Sequence, residues 1–517
     1  MDLDAFAELL TPRGQRALAE AVELVGTDPV AAATRLRRTY DAALTSAALT
    51  QAGLRERARA KFGEDARRMY FTPHGLEQST RTEVAEHRAR RLTRAGADTA
   101  PRGWDAPSHG PDTPQHRPDM PPHGPNTPPH GPASPSLGRG TPPHRPDATP
   151  HGPDAPSHGP DAPSHGPDAP SHGPDATPHG PDATPHGPDA TPHGPASPSR
   201  GQNTPPGGPD APLRGLGVAE VPPRRLRVVD ACCGIGGDFL ALARAGCTVV
   251  AVDTDPLTVA VARANAEALG LGDRVTVSVG DAAEVRPEEY DVLFADPARR
   301  TGRGRTFDPM AYSPPWPVVL DLASRASRAC VKVAPGIPYE FIPAGAEAEW
   351  VSYKGEVKEA ALWTGQETAG RRATLLPGGH TLTATGAEAP VGPAGRYVYE
   401  PDGAAIRAHL VGEVSEIVNG RLLDPMIAYI TGDDPIDTPW ASRYEIEDIL
   451  PFSGKKLRAA LRERQVGNVT IKKRGSAVDI ERLRTDLRLN GEKSATIILT
   501  RILDKPSVII CDTSPPA

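Results

Sequence analysis

The chain gathers its chemistry-bearing residues in one short run, Val229-Asp230-Ala231-Cys232-Cys233-Gly234-Ile235-Gly236-Gly237-Asp238. A strand that ends in a glycine-rich turn lets a ligand approach the backbone closely, because no side chain keeps it out. Asp253 follows Asp230 by 23 residues. At about that spacing the end of the next strand presents a carboxylate to both hydroxyls of a ribose. Two adenosine cofactors fit this outline. A dinucleotide fingerprint needs a third glycine at position 239, where this chain has Phe239, and a pyrophosphate depends on the close helix–strand packing which that glycine permits. S-adenosyl-L-methionine carries no pyrophosphate and is served by an acid before the loop, here Asp230. The residues favour S-adenosylmethionine over NAD or FAD, with a glycine turn in some other α/β protein as the plain alternative.

The surrounding elements must hold that turn. From Arg224 onward, strand-like runs alternate with helix-like ones, the pattern of a doubly wound, mainly parallel α/β sheet. LRVVDA leads into the glycine turn and FLALARAG follows it; CTVVAVDTD and PLTVAVARANAEALG form the next pair. RVTVSVGDA, YDVLFADPA and ACVKVAP supply further strands. The expected division is an N-terminal helical domain at 1–98, a linker at 99–217, a Rossmann-like catalytic domain at 218–365, a strand-rich extension at 366–439 and a small α+β domain at 440–511. Helical spacing of Leu54, Ala58, Phe62, Ala66 and Met69 supports the first of these. Pro29 after Asp28 reads as a helix start and Pro73 as a turn. Arg81, Arg88, Arg90, Arg91 and Arg94 could touch RNA, but a solvated helix face is the expectation.

The linker holds 34 of the 60 prolines and repeats HGPDAPS or HGPDATP, with a histidine every seven residues from His144 to His193. Its proline content forbids helix, and its lack of large apolar side chains predicts disorder. With no thiolates and no fixed geometry, it reads as a passive spacer and not as a metal site. The five cysteines form no CxxC pair. No apolar run reaches the ~18 residues that a membrane span needs. The opening MDLDAFAELL lacks the positive charge of a signal peptide, so a soluble, cytoplasmic protein is expected. Net charge is −9 over residues 218–439 and +6 over 440–510, and a basic unit beside an acidic one points to a polyanionic partner.

Residues 224–365 resemble a class I S-adenosylmethionine-dependent methyltransferase. The resemblance assigns Asp230, Gly234 and Gly236 to the glycine motif, Asp253 to the ribose and Asp281 to the adenine. It assigns Asp296-Pro297-Ala298-Arg299 to the catalytic fourth motif. The chain further resembles bacterial methyltransferases with a THUMP-like C-terminal domain, through ARAKF, FTPHGLEQST, DPARR, YSPPW, GEVKEAALW and KRGSAVDIERLRTDLRL. In amino-group methyltransferases the fourth motif reads Asn/Asp-Pro-Pro-aromatic; carboxylate and backbone carbonyl hold the amine while the ring stacks on the base. Here Asp296 and Pro297 fit, and Ala298 still offers a carbonyl. Stacking passes to Tyr312 or Trp316, for which packing is the alternative.

A carbon acceptor would need a cysteine nucleophile near this motif, and none is there. Arg299, Arg300, Arg303 and Arg305 could clamp phosphate beside the reactive centre. With Lys455, Lys456, Arg458 and the run Lys472-Lys473-Arg474, they support RNA as partner. The implied activity is methylation of a nitrogen in structured RNA, tRNA or rRNA. The alternatives are a non-catalytic RNA-binding protein that retains the fold, or methylation of a protein or small molecule.

Overall fold

The computed structural model describes residues 1–97, 225–298, 300–301, 304–305, 308–365 and 370–512. The histidine-proline linker, Arg299, Arg303 and the side chains of Arg300 and Arg305 lie outside the described residues.

Six helices lead the chain: α1 (Leu3–Leu10), α2 (Pro12–Val22), α3 (Pro29–Leu36), α4 (Ala42–Phe62), α5 (Pro73–Gln78) and α6 (Thr82–Ala97). Asp2, Thr11, Asp28, Asp41 and Thr72 each accept a backbone N–H at the starts of α1 to α5, satisfying donors that a helix end leaves unpaired. Pro12, Pro29 and Pro73 occupy first turns, where no helical hydrogen bond is lost. Pro73 therefore starts a helix where a turn was expected.

A nine-stranded sheet follows, formed by β1 (Arg227–Asp230), β2 (Thr248–Asp253), β3 (Val275–Val279), β4 (Val292–Ala295), then, after a small hairpin of β5 (Arg300–Thr301) and β6 (Gly304–Arg305), by β7 (Ala329–Val333), β8 (Glu347–Tyr353), β9 (Glu356–Thr364), β10 (Gly370–Leu376) and β11 (His380–Thr383). The spatial order is β11-β10-β8-β9-β7-β4-β1-β2-β3. Strands β3, β2, β1, β4 and β7 are parallel, and β9 runs antiparallel between β7 and β8. Strand order reverses at β1, between β2 and β4. In open α/β sheets the crevice beyond the strand carboxyl ends at such a point receives the ligand. Helices α7 (Phe239–Arg244), α8 (Pro256–Ala268) and α9 (Trp316–Arg325) connect the parallel strands.

The six leading helices have no core apart from this sheet. Phe6, Leu18, Leu44 and Phe71 belong to the same apolar cluster as Val228, Phe239, Val249 and Ala262. On the other face Val229, Leu293, Val319 and Trp350 pack with α10 (Gly403–Arg407), α11 (Val411–Ile417) and Tyr399.

A second sheet of seven strands has the order β13-β14-β12-β15-β18-β17-β16. Its strands are β12 (Tyr397–Pro401), β13 (Arg421–Asp424), β14 (Ile427–Gly432), β15 (Ala441–Pro451), β16 (Val466–Lys473), β17 (Lys493–Ile502) and β18 (Lys505–Cys511). Helices α12 (Gly454–Glu463) and α13 (Ile480–Leu487) bury Leu457, Leu461, Leu483 and Leu487 in a separate core with Ile497 and Val508. The expected extension at 366–439 is thus shared between sheets: β10 and β11 finish the first, while β12 to β14 begin the second. No described helix is long and apolar enough to cross a membrane.

Candidate active site

A cavity of about 450 Å³ opens at the carboxyl ends of β1, β2 and β4. The glycine turn forms its floor. Gly234 adopts φ +51°, which a side chain rarely tolerates, and the space where its Cβ would project is open. At Gly236 (φ +105°) a Cβ would sit 2.6 Å from the Phe239 ring. Phe239, the residue that breaks the dinucleotide fingerprint, thus fills the space beneath the turn.

Asp253 closes one side of the turn. Its Oδ2 accepts the Gly234 N–H and its Oδ1 the Asp255 N–H, both at 3.0 Å. Each oxygen retains a second lone pair for a ribose hydroxyl. Burial raises this carboxyl above its usual range, against the pull of those two N–H groups. Asp281 also lines the cavity, and its Oδ1 caps the turn that follows by accepting the Ala283 N–H at 2.9 Å.

Asp230 and Gly236 do not line the cavity. Asp230 is fully buried beneath the turn. Its Oδ1 takes the Cys232 N–H at 3.3 Å, and its Oδ2 has no hydrogen-bond partner. Burial, then the neighbouring Asp238, push its carboxyl well above the ordinary range. An orphaned buried carboxylate oxygen is costly unless a cation or donor joins it. Asp238, Asp253, Asp281 and Asp296 line the cavity, and Asp230 is buried behind its floor. That set suits a ligand carrying a sulfonium, an ammonium and a ribose, so the residues present fit S-adenosylmethionine.

The opposite half of the cavity is built by the fourth motif. Asp296 and Pro297 follow β4 and line it. Ala298 and Ser313 form an isolated antiparallel bridge, in which the Ser313 N–H donates to the Ala298 carbonyl at 3.0 Å. That carbonyl, expected to serve an acceptor amine, is engaged in holding two loops together. Tyr312 and Trp316 lie in the core: each is 3% exposed, they meet edge to face, and the Tyr312 hydroxyl accepts the Ala334 N–H. Ser313, Pro314 and Pro315 face the cavity from this segment.

Sequence reasoning missed the buried ion network behind this half. Lys332, near the carboxyl end of β7, donates to Asp296 Oδ2 at 2.5 Å and to Thr80 Oγ1 at 2.6 Å, with Asp238 Oδ2 at 3.9 Å. Thr80 in turn donates to Asp238 Oδ2 at 2.8 Å. Arg88, expected on a solvated face, is fully enclosed and pairs with both Asp238 and Glu359. Burial pushes the Asp238 carboxyl up, but Arg88 and Lys332 outweigh it and hold it below the usual range. The one available signal was a lysine inside the apolar strand ACVKV.

Other contacts of the leading helices converge here. Gly75, Gln78 and Ser79 line the cavity. The buried Asn265 side chain ties Tyr70 to the glycine turn, donating to the Tyr70 and Ile235 carbonyls at 3.0 and 2.9 Å. Arg91 and His87 of α6 clasp Glu349, which also accepts from Trp363 and Thr374. Burial works against the charge on Glu349, yet those partners hold it at about 2.

Cys232 and Cys233 line the cavity as free thiols, and burial followed by nearby carboxylates pushes both well up. Among the described residues no group of His, Cys, Asp and Glu is placed to hold a metal ion.

The basic run of the C-terminal unit is partly spent on internal pairing. Lys472 contacts Glu400 at 2.5 Å and Arg474 approaches the same carboxylate at 3.6 Å. Lys455, Lys456 and Lys473 are exposed.

Comparison with known proteins accounts for most of the described chain. Residues 225–319 match the RNA cap guanine-N2 methyltransferase family, 441–513 the THUMP domain-like family, and 2–58 a domain family of unknown function (DUF8688). A putative methyltransferase structure from Porphyromonas gingivalis W83 aligns at TM-score 0.48 and 22% identity, covering 56% of this chain and 78% of its own. An RNA methyltransferase of Parasynechococcus marenigrum is 34% identical over 120 residues, 22% of this chain and 26% of its length. An S-adenosylmethionine-dependent methyltransferase of Mycobacterium tuberculosis is 37% identical over 300 residues, 55% of this chain and 81% of its length. Identity at that level across four-fifths of a relative, on a chain whose glycine turn and ring of carboxylates suit the same cofactor, places this chain in the family of S-adenosylmethionine-dependent methyltransferases.

Proposed function

We propose that the chain methylates a nitrogen of structured RNA, tRNA or rRNA, with Asp296 and Pro297 holding the acceptor. The observation that carries this reading is the position of Asp296: it follows β4 and lines the same cavity as Gly234, Asp253 and Asp281, from the opposite half. When bound, S-adenosylmethionine supplies an electrophilic methyl group on sulfur, which moves in line onto a lone pair. The protein's task is alignment. The Asp296 carboxylate accepts an N–H of the acceptor, and the Pro297 carbonyl, beside the engaged Ala298 carbonyl, offers a second backbone acceptor. Together they would turn the nitrogen lone pair toward the methyl group; the sulfur would leave with the S–C electron pair as a neutral thioether, and the methylated nitrogen would shed its extra proton to solvent. A carbon acceptor attacked by cysteine is disfavoured, because burial keeps Cys232 and Cys233 protonated.

RNA as the partner is supported by three likenesses: the cap guanine-N2 family at 225–319, the THUMP-like family at 441–513 and the RNA methyltransferase relative. The hairpin of β5 and β6 begins two residues beyond Ala298 and carries Arg300 and Arg305. We assign that segment, with Arg299, to phosphate contact beside the acceptor, and Lys455, Lys456 and Lys473 to more distant backbone contact. Tyr312 and Trp316 support the Ser313–Pro315 wall from behind.

The test is transfer of tritium from methyl-labelled cofactor into RNA, protein and small-molecule fractions of cells. Label in an RNA fraction that yields an N-methylated nucleoside on digestion is expected. Label confined to protein or metabolites overturns the substrate reading.

A further inference from the structure

Lys332 has the geometry of a residue that serves Asp296. Its side chain is 5% exposed at the fourth position of a strand whose five residues are all buried. An ammonium there is unfavourable unless paired, and well-packed apolar residues usually replace buried ion pairs without loss of stability. Stability therefore does not account for it. Lys332 also helps to neutralise Asp238, but at 3.9 Å, while Arg88 is that carboxylate's closer partner.

What Lys332 alone among the described ion pairs does is grip Asp296 Oδ2, at 2.5 Å. An aspartate carboxylate otherwise swings broadly about its last torsion. Held by one oxygen and 24% exposed, it keeps a fixed edge toward the cavity. Thr80 fixes the ammonium in turn, accepting from Lys332 and donating to Asp238. The series Glu359, Arg88, Asp238, Thr80, Lys332, Asp296 thus runs from β9 through helix α6 and the end of the cofactor turn to Asp296.

We propose that Lys332 is a positioning residue for methyl transfer: it locks the Asp296 carboxylate in its acceptor-binding orientation, and Thr80, supplied by the N-terminal segment, locks Lys332. The proposal rests on the reading of Asp296 as the group that holds the acceptor.

The test uses the full chain, methyl-tritiated S-adenosylmethionine, and whichever cellular fraction the unaltered protein labels. Lys332→Met is expected to lower kcat by about 100-fold, the scale of a misaligned reacting group. The KM for the cofactor and the calorimetric Kd for S-adenosylhomocysteine should stay within about threefold. In an Asp296→Asn background the same change should add little, because both act through one carboxylate. Thr80→Val, which is nearly isosteric and covers the case of a poorly folding Lys332 variant, should lower kcat by about tenfold at unchanged cofactor affinity. Normal kcat in Lys332→Met or Thr80→Val, or losses that multiply with Asp296→Asn, overturn the proposal. If Asp296→Ala turns over normally, the reading of the site fails and takes the proposal with it. An inactive Asp296→Ala beside an active Lys332→Met refutes the proposal alone.

Discussion

The two halves of the cavity are assembled by different means. The cofactor half comes from consecutive segments of one α/β unit: a strand, a glycine turn, and carboxylates at the ends of the next strands. Its contacts are chiefly backbone N–H groups on carboxylate oxygens, as at Gly234 and Asp253, with the Asn265 side chain tying the turn to Tyr70. The fourth-motif half, where we place the acceptor, draws Asp296 from just after β4, Lys332 from β7, Ser313 from a later loop and Thr80 from before the first strand. A half made by local chain geometry should tolerate damage elsewhere. A half made by remote ion pairs should fail when any one of several distant segments is disturbed.

The strongest test of that contrast is Asp296→Ala, expected to reduce methyl transfer by about 1000-fold while calorimetry finds S-adenosylhomocysteine bound as before. Weakened cofactor binding in this variant would merge the two halves into one site.

Next in size is Glu349→Gln, which leaves Arg91 and His87 facing a neutral group. Removing one partner from a buried pair costs about 3 kcal/mol, read as a lower urea midpoint. The sign with pH follows from the depressed carboxyl. Its folded value of about 2 lies below the ordinary 4.5, so its stabilisation is complete above pH 4.5 and is lost as pH falls toward 2. The variant should lack that acid limb.

Asp253→Ala should affect the other half, weakening cofactor binding by about 10- to 100-fold, the size of hydrogen bonds to a charged group. Turnover at saturating cofactor should remain close to normal. Burial raises Asp230 and Asp253, so a cationic cofactor binds better once they ionise. Affinity should climb with pH by up to about tenfold per unit for each proton released, and calorimetry in buffers of differing ionisation heat should record that release.

The smallest effect belongs far from either half. Changing Lys455, Lys456 and Lys473 to Gln should weaken retention on bulk tRNA a few-fold and flatten its salt dependence by up to about one unit per lysine. Lys472→Gln should flatten it less, because Glu400 already holds that ammonium.

The same contrast explains what could be read in advance. The strands, the glycine turn and the acids at 230, 253, 281 and 296 announce themselves through local pattern, and the helices and strands of the C-terminal unit do so as well. Arg88 was misread because a helical repeat reveals a polar face without revealing what that face meets; here it meets Asp238 and Glu359. Tyr312 and Trp316 leave two readings open in the sequence, because an aromatic beside prolines has the same sequence whether it faces a ligand or the core; both are buried in the core. The limit at residue 365 failed because an edge hairpin, β10 and β11, carries the same alternation as a strand of the next sheet.

Thr80 and Asp238 touch across 158 positions, so the leading helices and the strands grip each other from opposite ends of a very long excursion. Neither partner of that contact is seated without the other, so loosening the leading helices should unseat the Asp238 carboxylate as surely as a change in the strands would.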